Sequence, residues 1–178
     1  MKPYFKAMAV YNQQMNESLY RHCQSLSDEE RKRDRQAFFR SIHGTLNHIL
    51  LGDLIWLSRF SKHARAFPCL QQFFEFTFTD LNEVLYQDFH ELQQQRSDID
   101  RAIIAWGDEL QVEDFSSQLT FVSTTGRSFC YDLWLLITHF FNHQTHHRGQ
   151  VTTLLSQLGI DPGVTDFVAY MGNYNQNP

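Results

Sequence analysis

The sequence predicts an all-α protein: a four-helix bundle with a crossover connection and a small accessory hairpin before the fourth helix. Three observations carry this reading. Apolar residues recur at spacings of three and four along four stretches of roughly 20 to 28 residues, the length at which helices bury one shared core. The piece between the second and third stretches is long enough to let the chain cross over. A short β-prone segment with a Thr125-Gly126 turn precedes the last stretch.

Pro3 suits the first turn of a helix, and Tyr4, Met8, Tyr11, Met15, Leu19 and His22 form the stripe of an amphipathic helix ending near Cys23. Residues 25–35 are polar, with charges that alternate in sign through Asp28-Glu29-Glu30 and Arg31-Lys32-Arg33-Asp34-Arg35, and read as a solvated connector. From Ser41 to about Lys62 the chain is apolar on most sides, as expected of a second helix covered by several neighbours. Pro68 breaks that pattern, and the aromatic stretch at residues 73–78 has no conformation legible in its residues.

Asp80 and Glu83 have the spacing of a capping box, so the third helix is expected to begin there and to run through Leu92, Ile99 and Ile103 to about Gly107. Leu119-Thr120-Phe121-Val122 and the Gly126 turn predict the hairpin. Asp132 is placed to start the fourth helix, which Gly159 and Pro162 stop, and a last short helical turn follows Asp166. The 178 residues fall within the range of one domain, so residues 1–178 are expected to fold as a single unit.

Composition narrows the function classes. Fifteen basic and twenty acidic side chains leave a formal charge of −5, the wrong sign for a protein that neutralises phosphates, so no nucleic-acid partner is expected. Cys23, Cys69 and Cys130 are widely spaced and odd in number, which indicates neither a disulfide framework nor a cysteine zinc site. No apolar stretch approaches the roughly 18 residues of a membrane span. With no signal-peptide pattern at the start, a cytoplasmic location is expected. No Gly-rich phosphate loop and no nucleophile elbow is present.

Nine histidines are the compositional oddity, and His139, His143, His146 and His147 fall in the fourth helix. At about 100° per residue, Leu136, Phe140, His143, His147, Val151, Leu154 and Leu158 share one face about 80° wide, so His143 and His147 occupy core positions. His139 and His146 fall on its flank. Two imidazoles one turn apart can ligate one ion together. His48 on the second helix supplies a third donor if it faces the same interior, where Ser41, Gly44, Thr45 and Gly52 leave room. The pattern alone admits another reading: His48 as a hydrogen-bonded core residue, His143 and His147 as a polar pair, and the small residues as points of close helix approach.

The run His139-Phe140-Phe141-Asn142-His143-Gln144-Thr145-His146-His147-Arg148-Gly149-Gln150 closely resembles the helix-four signature of the DinB-like (DinB/YfiT) family of metalloenzymes. Tyr11-Asn12 with Asn16, Ser41 through His48, Asp53, Trp56-Leu57, and Leu158-Gly159 through Asp166 look like that family in order, so the likeness covers nearly the whole chain. The resemblance implies a bundle with a crossover, a homodimer, and one metal held by three histidines with an open coordination position. Carried onto this sequence, those ligands are His48, His143 and His147.

Three imidazoles suit a divalent transition metal, with zinc or nickel expected. The function expected is that of a metal-dependent transferase or hydrolase acting on a small molecule, with thiol S-transfer, known in related families, as one such reaction. The alternative is a non-catalytic metal-binding dimer with a structural or stress-sensing role. Asp53 lies about 140° around its helix from His48 and is expected to pair with another helix rather than with the ion. Arg148 projects away from the metal face and is expected in a salt bridge or helix-end contact, and Gln150 lies near the His143 face.

Overall fold

In the computed structural model, residues 1–174 are described, with side chains through Tyr170; the last four residues of the expected 1–178 unit lie outside the described residues. The chain is mostly helical, with one small two-stranded antiparallel sheet. No helix among the described residues is long and apolar enough to cross a membrane.

Helix α1 spans Lys2–Gln24, with Pro3 in its first turn as its fixed φ favours. The charged run expected as a solvated connector instead contains a short helix, α2 (Asp28–Lys32). Ser27 accepts the Glu30 amide, acidic residues fill the first turn and basic ones the last, so cap and dipole act together. Arg31 leaves the solvent to donate to the Cys23 and Leu26 carbonyls, closing the end of α1. Its guanidinium also lies over the Phe89 ring at 4.3 Å, a tertiary contact that a charge pattern read along the chain does not reveal.

Helix α3 (Ile42–Ser61) is capped by Ser41 Oγ, which accepts the Gly44 amide at 2.9 Å. Seventeen of its 20 residues are buried, in keeping with its apolar character on most sides. A 3₁₀ turn follows at Pro68–Phe73.

Helix α4 spans Phe89–Glu109 and starts eight residues later than the Asp80 motif predicts. Asp88 is its cap, accepting the His90 and Glu91 amides. Asp80 and Glu83 do form local bonds, Asp80 with the Asn82 amide and Glu83 with Thr79, but they close a turn within a loop. Residues 81–86 are withheld from a helix because their backbone is claimed by α3: Asn47 accepts the Tyr86 amide, and Asn47 and His43 both contact the Tyr86 carbonyl.

Strands β1 (Gln118–Val122) and β2 (Ser128–Asp132) pair antiparallel from Gln118 opposite Asp132 to Val122 opposite Ser128. Gly126, at φ +79°, takes the left-handed turn position that glycine accepts without strain. Helix α5 (Leu133–Gln157) begins at Asp132 as expected, although the Asp132 side chain makes no capping bond. It ends at Gly159, φ +75°, and α6 (Phe167–Tyr174) follows.

The four long helices pack in a ring, α1 on α4 and α5, and α3 on α5 and α4. Contacts give their directions. Tyr20 meets Phe89 while Lys6 meets Asp108, so α1 and α4 are antiparallel. Asp53 meets Arg96 while Phe60 meets Trp106, so α3 and α4 run the same way. Residues 62–88 make this parallel pair possible by returning along α3 as far as Asn47.

A polar chain crosses the apolar interior. Arg96, 3% exposed, pairs with Asp53 of α3 and, at 2.9 Å, with Asp100. Asn16 and Asn12 of α1 donate to Asp100, and Arg148 of α5 donates to Asn12 and to Gln144. Asp53 thus pairs across helices as expected, whereas Arg148 is buried among amides rather than in a salt bridge. Removing one partner of a buried pair leaves the other desolvated and uncompensated. Asp53→Ala is therefore expected to lower stability by about 3–5 kcal/mol, read as a drop in urea midpoint at unchanged m-value.

Candidate metal centre

His143 and His147 stand one turn apart on α5, facing His48 across the α3–α5 contact. One ring nitrogen from each lies within 4.8 Å of the others. Ring centroids are 4.4 Å apart for His143 and His147, 4.5 Å for His48 and His147, and 5.2 Å for His48 and His143. His48 and His147 are buried and His143 is half-buried.

Gly52, one turn after His48, is the reason that α5 can bring His143 so close. A Cβ at Gly52 would sit 2.6 Å from His143 Cε1 and 3.2 Å from its Nδ1. Gly44 instead admits the backbone of Phe39, whose carbonyl would lie 2.2 Å from an added Cβ. The small residues of this face are thus occupied by close approach, and the imidazole at Gly52 is itself one of the three.

Two of the rings are held from behind. His48 Nδ1 lies 3.0 Å from the Leu81 carbonyl, and since a carbonyl only accepts, Nδ1 carries the proton and Nε2 presents its lone pair. His147 Nδ1 donates in the same way to Gln150 Oε1 at 2.8 Å, and Gln150 in turn contacts His146 Nε2. His143 Nδ1 is buried and has no hydrogen-bond partner among the described residues. Phe39 stacks on His48 at 3.7 Å and meets His147 edge-on at 5.4 Å, covering one side of the group.

Burial lowers the pKa of all three histidines. His143 falls furthest, to about 3, because the desolvation of its ring is reinforced by repulsion from His147, His48 and its other histidine neighbours. Desolvation is likewise the main cause for His48 and His147. At neutral pH the site therefore offers three uncharged imidazoles, the form that binds a metal. No fourth histidine, cysteine or carboxylate joins the cluster among the described residues. A buried, bare ring nitrogen on His143 and lone pairs aimed inward from two pinned rings fit a cation with nitrogen preference.

His139 and His146 are exposed, as their flank positions predict, with His139 against Trp56 at 5.0 Å. The three cysteines are free, and none belongs to the cluster. Gln150, expected only near this face, proves to be the acceptor that orients His147. The Leu81 carbonyl and Phe39 were not singled out from the sequence. A backbone oxygen carries no residue signal, and Phe39 is one phenylalanine among 16.

Two outcomes follow from this geometry. Because the folded histidines are lowered below an unfolded value near 6.5, the unfolded chain binds more protons in the window between. Metal-free protein should be insensitive to pH above about 7 on their account and lose stability steadily as pH falls from about 6.5 toward 3, measured as urea midpoint against pH. Gly52→Ala should displace His143, costing about 1–3 kcal/mol of stability by overpacking and weakening metal binding in titrations that leave Gly149→Ala unaffected.

The DinB family model matches residues 1–177. The curated Protein DinB of Bacillus subtilis (strain 168) is 28% identical, with 90% of each chain covered. With that match running over residues 1–177, and with a histidine triad that could hold a metal ion, this chain belongs to the DinB family.

Proposed function

We propose that this protein is a metal-dependent enzyme, a transferase or hydrolase acting on a small molecule, with His48, His143 and His147 as the ligands of one divalent ion. The observation that carries the reading is the convergence of three uncharged imidazoles with no fourth protein donor among the described residues. The donor set favours zinc or nickel over magnesium or calcium, which prefer oxygen. Thiol S-transfer is one reaction of this class.

A bound divalent ion with an exchangeable position would make the proton of a water or thiol easier to remove. The chain's own residues prepare that position. The Leu81 carbonyl and Gln150 fix the tautomers of His48 and His147, and Phe39 keeps water from one side of the rings. No carboxylate lies within the cluster, so the imidazoles have no internal anion to compete for. The four long helices serve as the bundle that holds them, with residues 62–88 as its crossover. A cytoplasmic homodimer that binds neither nucleic acid nor membrane completes the proposal.

A non-catalytic metal-binding dimer with a structural or stress-sensing role is the second reading, and the flat packing of Phe39 on His48 favours it. Elemental analysis of protein purified without a histidine tag should find about one metal per chain, and none in the His48→Ala/His143→Ala/His147→Ala variant. Absence of metal under every loading condition would sink both readings. The cobalt-substituted protein separates them: a visible spectrum that shifts on adding 2-mercaptoethanol indicates an exchangeable position and supports the enzyme, while an unchanged one supports the closed site.

A further inference from the structure

The face of α3 that carries His48 continues past the triad. At about 100° per residue, His48, Gly52, Ile55, Arg59 and Lys62 fall within one stripe about 80° wide. Beyond Gly52 this stripe becomes the floor of a groove of about 420 Å³. Its walls come from segments that also pack near the triad. Phe76 and Phe78 line one side, in the same segment whose Leu81 carbonyl holds His48. Phe121 of the hairpin lines the other, beside Trp56, which packs on His139 one turn from His143.

At the far end of the groove stand two cations with no acidic partner among the described residues. Arg59 is half-buried, lies over the rings of Trp56 at 4.6 Å and Phe121 at 4.8 Å, and makes one hydrogen bond, to the Val122 carbonyl at 3.2 Å. Most of its five N–H donors are therefore uncommitted. Burial lowers its pKa, the mark of a cation desolvated without a counter-charge. Lys62, one turn on, has its ammonium 5.4 Å from the Phe74 ring and no other side-chain partner among the described residues. Arg33, Arg40 and Arg101 each have a carboxylate in reach, whereas Arg59 sits half-buried against two aromatic rings.

We propose that this groove binds the carboxylate end of an elongated substrate with an apolar middle, held by Arg59 and Lys62 while its reacting end lies at the histidine triad. The proposal rests on the metal-enzyme reading above. Arg59 lies seven residues beyond Gly52, against which the His143 ring packs, a rise of roughly 10 Å along α3 that is the reach asked of the substrate. A planar carboxylate matches the guanidinium fork, and the aromatic walls suit the apolar middle. Arg59 is here a specificity-determining residue.

The test uses ω-mercaptoalkanoates of increasing length and their matching amides. They are titrated calorimetrically into zinc-loaded wild type, Arg59→Gln, Lys62→Gln and Arg59→Lys. The acids should bind about tenfold more tightly than the amides, with a further gain once the chain spans roughly 10 Å. Arg59→Gln should abolish the preference for acid and Lys62→Gln should reduce it. Arg59→Lys keeps the cation on its aromatic rings, so it guards against a loosened hairpin, and it should retain part of the preference. Equal binding of acid and amide by wild type, or an undiminished preference in Arg59→Gln, overturns the proposal while zinc stoichiometry remains intact. Zinc that fails to bind overturns the metal-enzyme reading and the substrate assignment with it, whereas an acid preference with no dependence on length overturns the substrate assignment alone.

Discussion

The buried pairing of Arg96 with Asp53 and Asp100 sets the register in which the long helices meet. The desolvated Arg96 guanidinium is compensated by carboxylates in contact, one of them on α3, so α3 and α4 cannot slide past one another without breaking the pairing. Asn12 and Asn16 pass the constraint to α1, and Arg148 passes it to α5. Arg148 directly follows His147, and Asp53 lies five residues beyond His48. The same polar chain that orders the core therefore brings the two halves of the histidine triad to one level.

At that level the packing creates an electrostatic demand. Three imidazoles share a region from which water is largely removed, and His48 and His147 further disfavour the protonation of His143, as His48 does that of His147. Gly52 allows His143 into the space between helices, while Leu81 and Gln150 consume the outer nitrogens of the other two rings. One nitrogen of each ring thereby lies within 4.8 Å of the others before any ligand arrives. Preorganisation of this kind spares the site the entropy of ordering its donors on binding.

Much of this was legible along the chain. The 3.6-residue periodicity located the long helices, Ser41 and Gly159 marked boundaries that hold, and the hairpin followed from its β-prone run and its glycine. The face of α5 that carries His143 and His147 followed from spacing alone, as did the flank positions of His139 and His146. Asp80 and Glu83 misled because a capping motif states only that a turn is stable. Whether a helix continues from it depends on what else claims the backbone, and here Asn47, 39 residues from Tyr86, does. The acidic and basic run faces solvent as expected, and what its charges left unread is the short helix that Ser27 caps within it.

By itself, then, the sequence determined which residues face inward on each helix, the pairing of His143 with His147, and the candidacy of His48, because these depend on local geometry repeated every turn. The tertiary structure alone decided that His48 meets that pair, that Gly52 receives a ring, which nitrogens are free, and that Arg59 is left without a counter-ion. Each of these depends on the relative register of helices far apart in the chain. That register is chosen by buried charges and close backbone approach, whose partners no local pattern names.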